Sequence, residues 1–148
     1  MLNVTDFDLS QKLVSEYMIP SDKVAHVQLN NPLDHALLVL TKTGYNAVPV
    51  LDFKSRFKGL ISKSTIIEEM IGLDEINVGL LEGKIVESVM DDEVKTLQLD
   101  DTLEKALHLL IDYNFICVVD RSNMMEGILT RRQLLKQIRN QFYRQKTT

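Results

Sequence analysis

The sequence predicts an α/β (α+β) protein: two β-α-β-β-α units packed about a pseudo-two-fold axis, with an extra N-terminal helix. Three observations predict it. The first is an internal repeat. Tyr45–Ile67 aligns without gaps on Tyr113–Leu135, 68 residues on, with Tyr45/Tyr113, Asn46/Asn114, Val50/Val118, Asp52/Asp120 and Gly59/Gly127 identical. Upstream, Val27–Leu40 matches Leu97–Leu110 at a spacing of 70, and Met18 matches Met90 at 72. The second is that each copy switches between two-residue and 3.6-residue hydrophobic periods in the same order. The third is length: 148 residues suffice for one real core without covalent staples.

The elements follow in order. Thr5–Met18 reads as a helix with Leu9, Leu13 and Tyr17 on one side. A short strand carries Val24, His26/Val27 and Leu29 in alternation. A helix follows, with Asn31 as its cap, Pro32 at the first helical position and Asp34 in the first turn. Its stripe is Leu33, Ala36, Leu37 and Leu40. A buried strand, Ala47–Leu51, closes at Asp52. A polar turn leads to a strand at Phe57–Ile61 and a helix at Ser64–Met70. Gly72, Gly79 and Gly83 break the connector. The second copy repeats this with Val94 and Leu97/Leu99, then a helix capped by Asp101 with Glu104 three residues on. Its stripe is Leu103, Ala106, Leu107 and Leu110; Phe115–Val119, Met125–Leu129 and Arg132–Phe142 complete it. The expected divisions are a helix over 1–18, repeats over 14–70 and 85–138, a connector over 71–84 and a basic end over 139–148. Each copy alone exposes an apolar face. Packing the two copies together buries those faces and leaves two related clefts suited to small ligands.

Composition excludes several classes. The fractions, 45% hydrophobic and 26% charged, are those of an ordinary globular protein. The single cysteine, Cys117, lies in the apolar run Phe115–Val119, which excludes an internal disulfide and a thiolate zinc site and marks a buried small hydrophobe. No apolar run reaches membrane length, and the N-terminus lacks a leader pattern, so a cytoplasmic location with no membrane contact is expected. His26, His35 and His108 lack metal-ligand spacing and read as surface or edge residues. Asp91-Asp92-Glu93 reads as a solvated turn, with a divalent-ion site as its alternative. Gly-x-Ser-x-Gly, Walker and Gly-x-Gly-x-x-Gly patterns are missing, so no enzyme is expected. The net charge of −4 hides an asymmetry: the first 130 residues carry 11 basic and 21 acidic side chains, while residues 131–148 carry six cations and no acid. Such an end fits partner docking or a solvated helix terminus better than nucleic-acid binding.

Certain segments resemble a known family. Gly59-Leu60-Ile61-Ser62-Lys63-Ser64-Thr65-Ile66-Ile67 and Gly127-Ile128-Leu129-Thr130-Arg131-Arg132-Gln133-Leu134-Leu135 resemble the ends of CBS motifs. Tyr17-Met18-Ile19-Pro20 and Val89-Met90-Asp91-Asp92 resemble their starts, and Tyr45–Val50 resembles the central strand. The resemblance spans about residues 14–138 and implies a tandem CBS pair, or Bateman module, which binds adenosine nucleotides. Small or apolar residues at Ala25, Ala47, Val48 and Pro49 suit an adenine slot, with Tyr45 covering a base face and Asn46 beside it. The hydroxyls of Ser62, Thr65 and Thr130 suit sugar or phosphate contacts, and Lys23, Arg131 and Arg132 suit phosphate charge. For Val48 and Pro49 plain core is the competing reading, and for each cation plain solvated charge.

One departure from the family pattern narrows the ligand. Its Gly-x-x-[Ser/Thr]-x-x-Asp motif ends in an aspartate that holds both ribose hydroxyls, and Thr65 and Gln133 stand there instead. Neither accepts two hydroxyl protons as a carboxylate does. A ligand with an esterified 3′ oxygen loses less by this. The pattern therefore resembles the stand-alone, cyclic di-AMP-binding CBS proteins of the DarB/CbpB type. That resemblance implies a homodimer and a non-enzymatic sensor whose ligand-free form stimulates the (p)ppGpp synthetase/hydrolase Rel. Two alternatives stand beside it: an AMP, ADP or ATP energy sensor, and a ligand-free interaction scaffold.

Overall fold

The computed structural model describes residues 8–147. In chain order its elements are β1 (Ile19–Pro20), β2 (Val27–Gln28), α1 (Leu33–Thr43), β3 (Ala47–Leu51), β4 (Phe57–Ser62), α2 (Lys63–Met70), β5 (Thr96–Gln98), α3 (Leu103–Leu110), β6 (Phe115–Val119), β7 (Met125–Thr130) and α4 (Arg131–Thr147). They form two compact units. One is contiguous, Ala25–Val94; the other joins the residues up to Val24 to those from Lys95 onward. The contiguous unit has a sheet of order β2-β3-β4, and the two-part unit one of order β1-β7-β6-β5. In each, a parallel pair (β2 with β3, β5 with β6) adjoins an antiparallel hairpin (β3 with β4, β6 with β7). This is the mixed architecture expected from the repeat. Among the described residues no helix is long and apolar enough to cross a membrane.

Both cores come from the two expected periodicities. In the contiguous unit Leu33, Ala36 and Leu40 of α1 pack with Val27, Val48, Val50, Ile61 and Ile66. In the two-part unit Leu103, Ala106 and Leu110 of α3 pack with Leu97, Ile116, Val118, Leu129 and Leu134. Strands β3 and β6 are buried at four consecutive positions, the mark of strands covered on both faces.

Two details differ from expectation. Asn31 and Asp101 do not cap their helices. Each instead closes the turn before it, taking the amide hydrogen of Gln28 at 2.8 Å or of Gln98 at 2.7 Å. The N-cap positions are Pro32, which has no side-chain acceptor, and Thr102, whose hydroxyl accepts from the Lys105 amide at 3.2 Å. The N-terminal segment also differs. Thr5, Asp6 and Phe7 lie outside the described residues. From Leu9 the chain makes two 3₁₀ turns, Leu9–Gln11 and Val14–Glu16, with Leu13 extended between them. The reason is competition for backbone groups. The amides of Val14 and Ser15 bond Asp101 O and Leu99 O, and Lys12 O accepts from Leu103 N, bonds that a continuous helix would not release. The buried residue is Val14, not the Leu9/Leu13/Tyr17 stripe.

The repeated aspartates build the hairpin turns. Asp52 takes the amide hydrogens of Lys54 and Arg56 on one carboxylate oxygen, each at 2.9 Å, and pairs with the Arg56 guanidinium at 2.8 Å. Asp120 does the same for Ser122 and Met124. Ser55 and Asn123 take φ of 64° and 65° at the same point of each turn. Burial alone would raise the Asp52 carboxyl, but the two amides and the guanidinium outweigh it and hold the group below the usual range.

The repeated glycines admit a crossing chain. β1 lies on β7 with Pro20 opposite Gly127, and a Cβ on Gly127 would sit 2.2 Å from the Ile19 carbonyl oxygen. Asp91 pairs with Leu60 through two 2.9 Å backbone bonds, and a Cβ on Gly59 would sit 2.3 Å from the Asp91 carbonyl oxygen. Residues 12–18 and 84–90 are thus equivalent arms. The arm that opens each repeat completes the unit that contains the other repeat's hairpin.

Gly127→Ala and Gly59→Ala are expected to lower stability by at least about 1–3 kcal/mol each, because backbone rather than a flexible side chain must yield; urea denaturation measures this. Asp52→Asn keeps acceptors for the turn amides but loses the charge. Because the native carboxyl is lowered, its contribution is present above the ordinary value of 3.8 and is lost as pH falls through the native value. The gap in melting temperature between wild type and Asp52→Asn should therefore narrow from about pH 7 to about pH 3.

Candidate functional site

The residues singled out from the sequence fall into three groups. The first lies at one end of the β3–β4 hairpin. Ala47 pairs with Ser62, and Asn46 O accepts from Lys63 N at 2.9 Å, so Tyr45, Asn46, Ala47 and Ser62 share that end. Ser62 caps α2, its hydroxyl accepting from the Thr65 amide at 3.2 Å and lying 2.9 Å from the Thr65 hydroxyl. Tyr45 and Asn46 are exposed, and Ala47 and Thr65 are half-buried. Val48 and Pro49 are buried, Val48 inside the first core.

The second group is its counterpart in the two-part unit. Thr130 caps α4, taking the Gln133 amide at 3.0 Å, and Asn114 O accepts from Arg131 N at 2.8 Å. Tyr113 and Asn114 therefore hold the place of Tyr45 and Asn46. They are not among the site residues expected from the sequence, and their identity to Tyr45 and Asn46 at a spacing of 68 is the signal that marks them.

The two adjacent arginines do different things. Helix α1 ends on Gly44 at φ 77°, whose amide bonds Leu40 O. The equivalent of Gly44 is Asp112, which lacks that freedom. At the end of α3 the Arg131 guanidinium supplies the missing donors, giving Nε to Leu110 O at 2.8 Å and Nη2 to Ile111 O at 3.3 Å. Arg132 is exposed and makes no hydrogen bond or ion pair among the described residues. It sits in the first turn of a 17-residue helix whose first turn has no acid. A cation there opposes the helix dipole by a few tenths of a kcal/mol, so helix stability does not account for it.

The third group is the crossing between units. Lys23 ends the 3₁₀ turn Ser21–Lys23, exposed and without an ion pair among the described residues. β1 is antiparallel to β7, so this turn leaves from the Gly127 side, away from Thr130, and the two-part unit itself does not join Lys23 to Arg132. Ala25 begins the contiguous unit, half-buried against its core, and the register of Val27 opposite Val50 carries it back toward the Ala47–Val48 end of β3.

No catalytic grouping emerges from these residues. Cys117 is buried in β6, and burial pushes its thiol up, away from the reactive thiolate. Among the described residues no three His, Cys, Asp or Glu side chains are placed to hold a metal.

Residues 14–72 and 86–140 each match the CBS domain. The chain belongs to the CBS-domain family. It is 42% identical over 138 residues to cyclic di-AMP receptor B of Bacillus subtilis, covering 93% of this chain and 94% of that one. Among solved structures, a CBS domain-containing protein of unknown function from Bacillus anthracis superposes with a TM-score of 0.84 at 46% identity, over 90% of this chain and 97% of that one. The Listeria monocytogenes CbpB protein in complex with c-di-AMP gives 0.81 at 45% identity, over 88% and 97%. In both CBS repeats the structural origin of the motif is now plain: the glycine admits an arm, and the Ser or Thr caps a helix.

Arg131→Ala should destabilise the protein by about 1–2 kcal/mol, because the part-buried Leu110 carbonyl loses its donor while water can replace the exposed bond to Ile111 O. Arg132→Ala should leave stability within about 0.5 kcal/mol or raise it slightly. Parallel thermal melts check the contrast.

Proposed function

We propose that this protein is a non-enzymatic cytoplasmic sensor that binds cyclic di-AMP and, when free of it, regulates a protein partner. The observation that carries the reading is Arg132, an unpaired cation set against the dipole of its own helix. An anionic ligand gives that charge a purpose. Lys23 is a second unpaired cation, and a cyclic dinucleotide presents two phosphates. Thr65 and Gln133 offer no carboxylate to ribose hydroxyls, which disfavours a mononucleotide more than a ligand whose 3′ oxygens are esterified. Ala25, Tyr45 and Ala47 contact adenine in this reading, with Asn46 beside them. Ser62, Thr65 and Thr130 lie near sugar or phosphate, and Arg131 holds α3 while lending charge. Two relatives support the ligand: the Bacillus subtilis protein is a cyclic di-AMP receptor, and the Listeria protein was solved with c-di-AMP.

The functional form is a homodimer, and the partner is the (p)ppGpp synthetase/hydrolase Rel. Ligand and partner are coupled reciprocally: if cyclic di-AMP weakens Rel binding tenfold, Rel weakens cyclic di-AMP binding tenfold.

Calorimetry with cyclic di-AMP, cyclic di-GMP, AMP and ATP tests the reading. Cyclic di-AMP should bind most tightly, and Arg132→Met should weaken it at least about tenfold, the scale of a lost charged contact, with the melting temperature unchanged. Tighter binding of AMP would overturn the cyclic dinucleotide reading, and unchanged affinity in Arg132→Met would remove that residue from the site. Capture of Rel with and without ligand tests the partner.

A further inference from the structure

Arg131 grips one short turn at both ends. Its backbone amide bonds Asn114 O at 2.8 Å, and its guanidinium gives Nε to Leu110 O at 2.8 Å and Nη2 to Ile111 O at 3.3 Å. The first repeat has the backbone half of this, the 2.9 Å bond from Lys63 N to Asn46 O. There the helix end serves itself.

The difference is chain length. Leu40 and Leu110 are equivalent at a spacing of 70, and Tyr45 and Tyr113 at 68. Thr41-Lys42-Thr43-Gly44 lie between the first leucine and tyrosine, but Ile111-Asp112 alone between the second. Helix α1 runs on to Thr43, and Gly44 N reaches back to Leu40 O at 3.0 Å. Helix α3 stops at Leu110, and the amides of Asp112 and Tyr113 both return to Leu109 O, at 3.3 and 3.2 Å. The next two carbonyls, of Leu110 and Ile111, are left to Arg131. The side chain stands in for a last stretch of helix that the second repeat lacks.

This tie sets a cation on two neutral acceptors. A guanidinium bonds a phosphate through two parallel N–H groups, and charge-assisted bonds are roughly twice as strong as neutral ones. Arg131 and Arg132 share the first turn of α4, which Thr130 caps. An anion drawn to Arg132 at the amide end of this helix competes with Leu110 O and Ile111 O for the Arg131 guanidinium. The tie is open to that competition, since Arg131 is half-buried and its longer bond, to Ile111 O, is exposed.

We propose that Arg131 is a latch that cyclic di-AMP releases. Without ligand, its guanidinium closes the end of α3. With ligand, it turns to phosphate and the Leu110–Asn114 turn loosens. Ile111 and Tyr113, 67% and 43% exposed, ride on that turn, so its release alters the surface that a partner meets. The latch rests on the cyclic di-AMP reading above and gives it a way of reporting the ligand. Because ligand must displace the two carbonyls, it binds more weakly than it does to a chain whose α3 end needs no arginine.

Hydrogen exchange read by mass spectrometry tests this on the full chain, with calorimetry to set saturating cyclic di-AMP. Ligand should speed exchange across Leu110–Asn114 at least about threefold and leave β6 unchanged. In Arg131→Met the turn should exchange fast with or without ligand. A second variant carries Thr-Lys-Thr-Gly, the sequence of residues 41–44, in place of Ile111-Asp112, so that a backbone amide can serve Leu110 O. It should bind cyclic di-AMP at least about threefold more tightly than wild type, and ligand should no longer speed exchange in the turn. Circular dichroism confirms that both variants fold. Slower or unchanged exchange in ligand-bound wild type overturns the latch and keeps the ligand. Acceleration by ligand that persists in Arg131→Met, or unaltered affinity in the second variant, overturns Arg131 as its cause. A wild type that binds no cyclic di-AMP overturns the ligand reading, and the latch with it.

Discussion

The close approach of backbone at Gly59 and Gly127 is the constraint on which the rest of the structure depends. A carbonyl oxygen occupies the place where any other residue would hold its Cβ. That contact lets Ile19–Pro20 lie on β7 and Asp91 on β4, and each arm then does more than finish a sheet edge. Val14 and Val86, both fully buried, carry the arms into their cores. Lys12 O and Lys84 O, each at 2.9 Å, satisfy the first amide of α3 and of α1, which would otherwise be orphaned at a helix start. Sheet edge, core and helix start are therefore coupled through one glycine per unit.

Much of this was legible because it is local. The apolar runs at β3 and β6, the stripes of α1 and α3 and the breaker glycines all act within a few residues of where they are read. The N-terminal arm does not form the helix its spacing suggests, because its partners are distant. Leu9, Leu13 and Tyr17 have helical spacing, yet Val14 is the anchor, and the backbone groups of residues 12–15 serve residues 99–103. The relation of Val14 to Val86 at the 72-residue spacing of Met18 and Met90 contained that information. The helix caps were misplaced for a similar reason: Asn31 and Asp101 can close the preceding turn as readily as they can cap, and the choice depends on where the strand ends.

The candidate site shows how duplication permits chemical divergence. Ser62-Lys63-Ser64 and Thr130-Arg131-Arg132 occupy equivalent places and keep the same cap and the same bond to an asparagine carbonyl. Where α1 has Gly44, α3 has Asp112, and Arg131 is drawn into holding the α3 terminus. Motif position alone treats Arg131 and Arg132 as one pair. Their separate duties follow from which carbonyls the neighbouring helix leaves unsatisfied, and that is visible only when α3 and α4 are seen together.

The division of the chain also sets an order of assembly during synthesis. Every residue of the contiguous unit, arm included, has been translated by Val94, so that unit can close while the remainder is still being made. The arm at residues 12–18 has no sheet to join until β7 exists more than a hundred residues later. A nascent chain therefore carries that arm unpaired until the second hairpin has been made. The two-part unit bears the larger loop-closure entropy, and in a growing chain its closure comes after that of the contiguous unit.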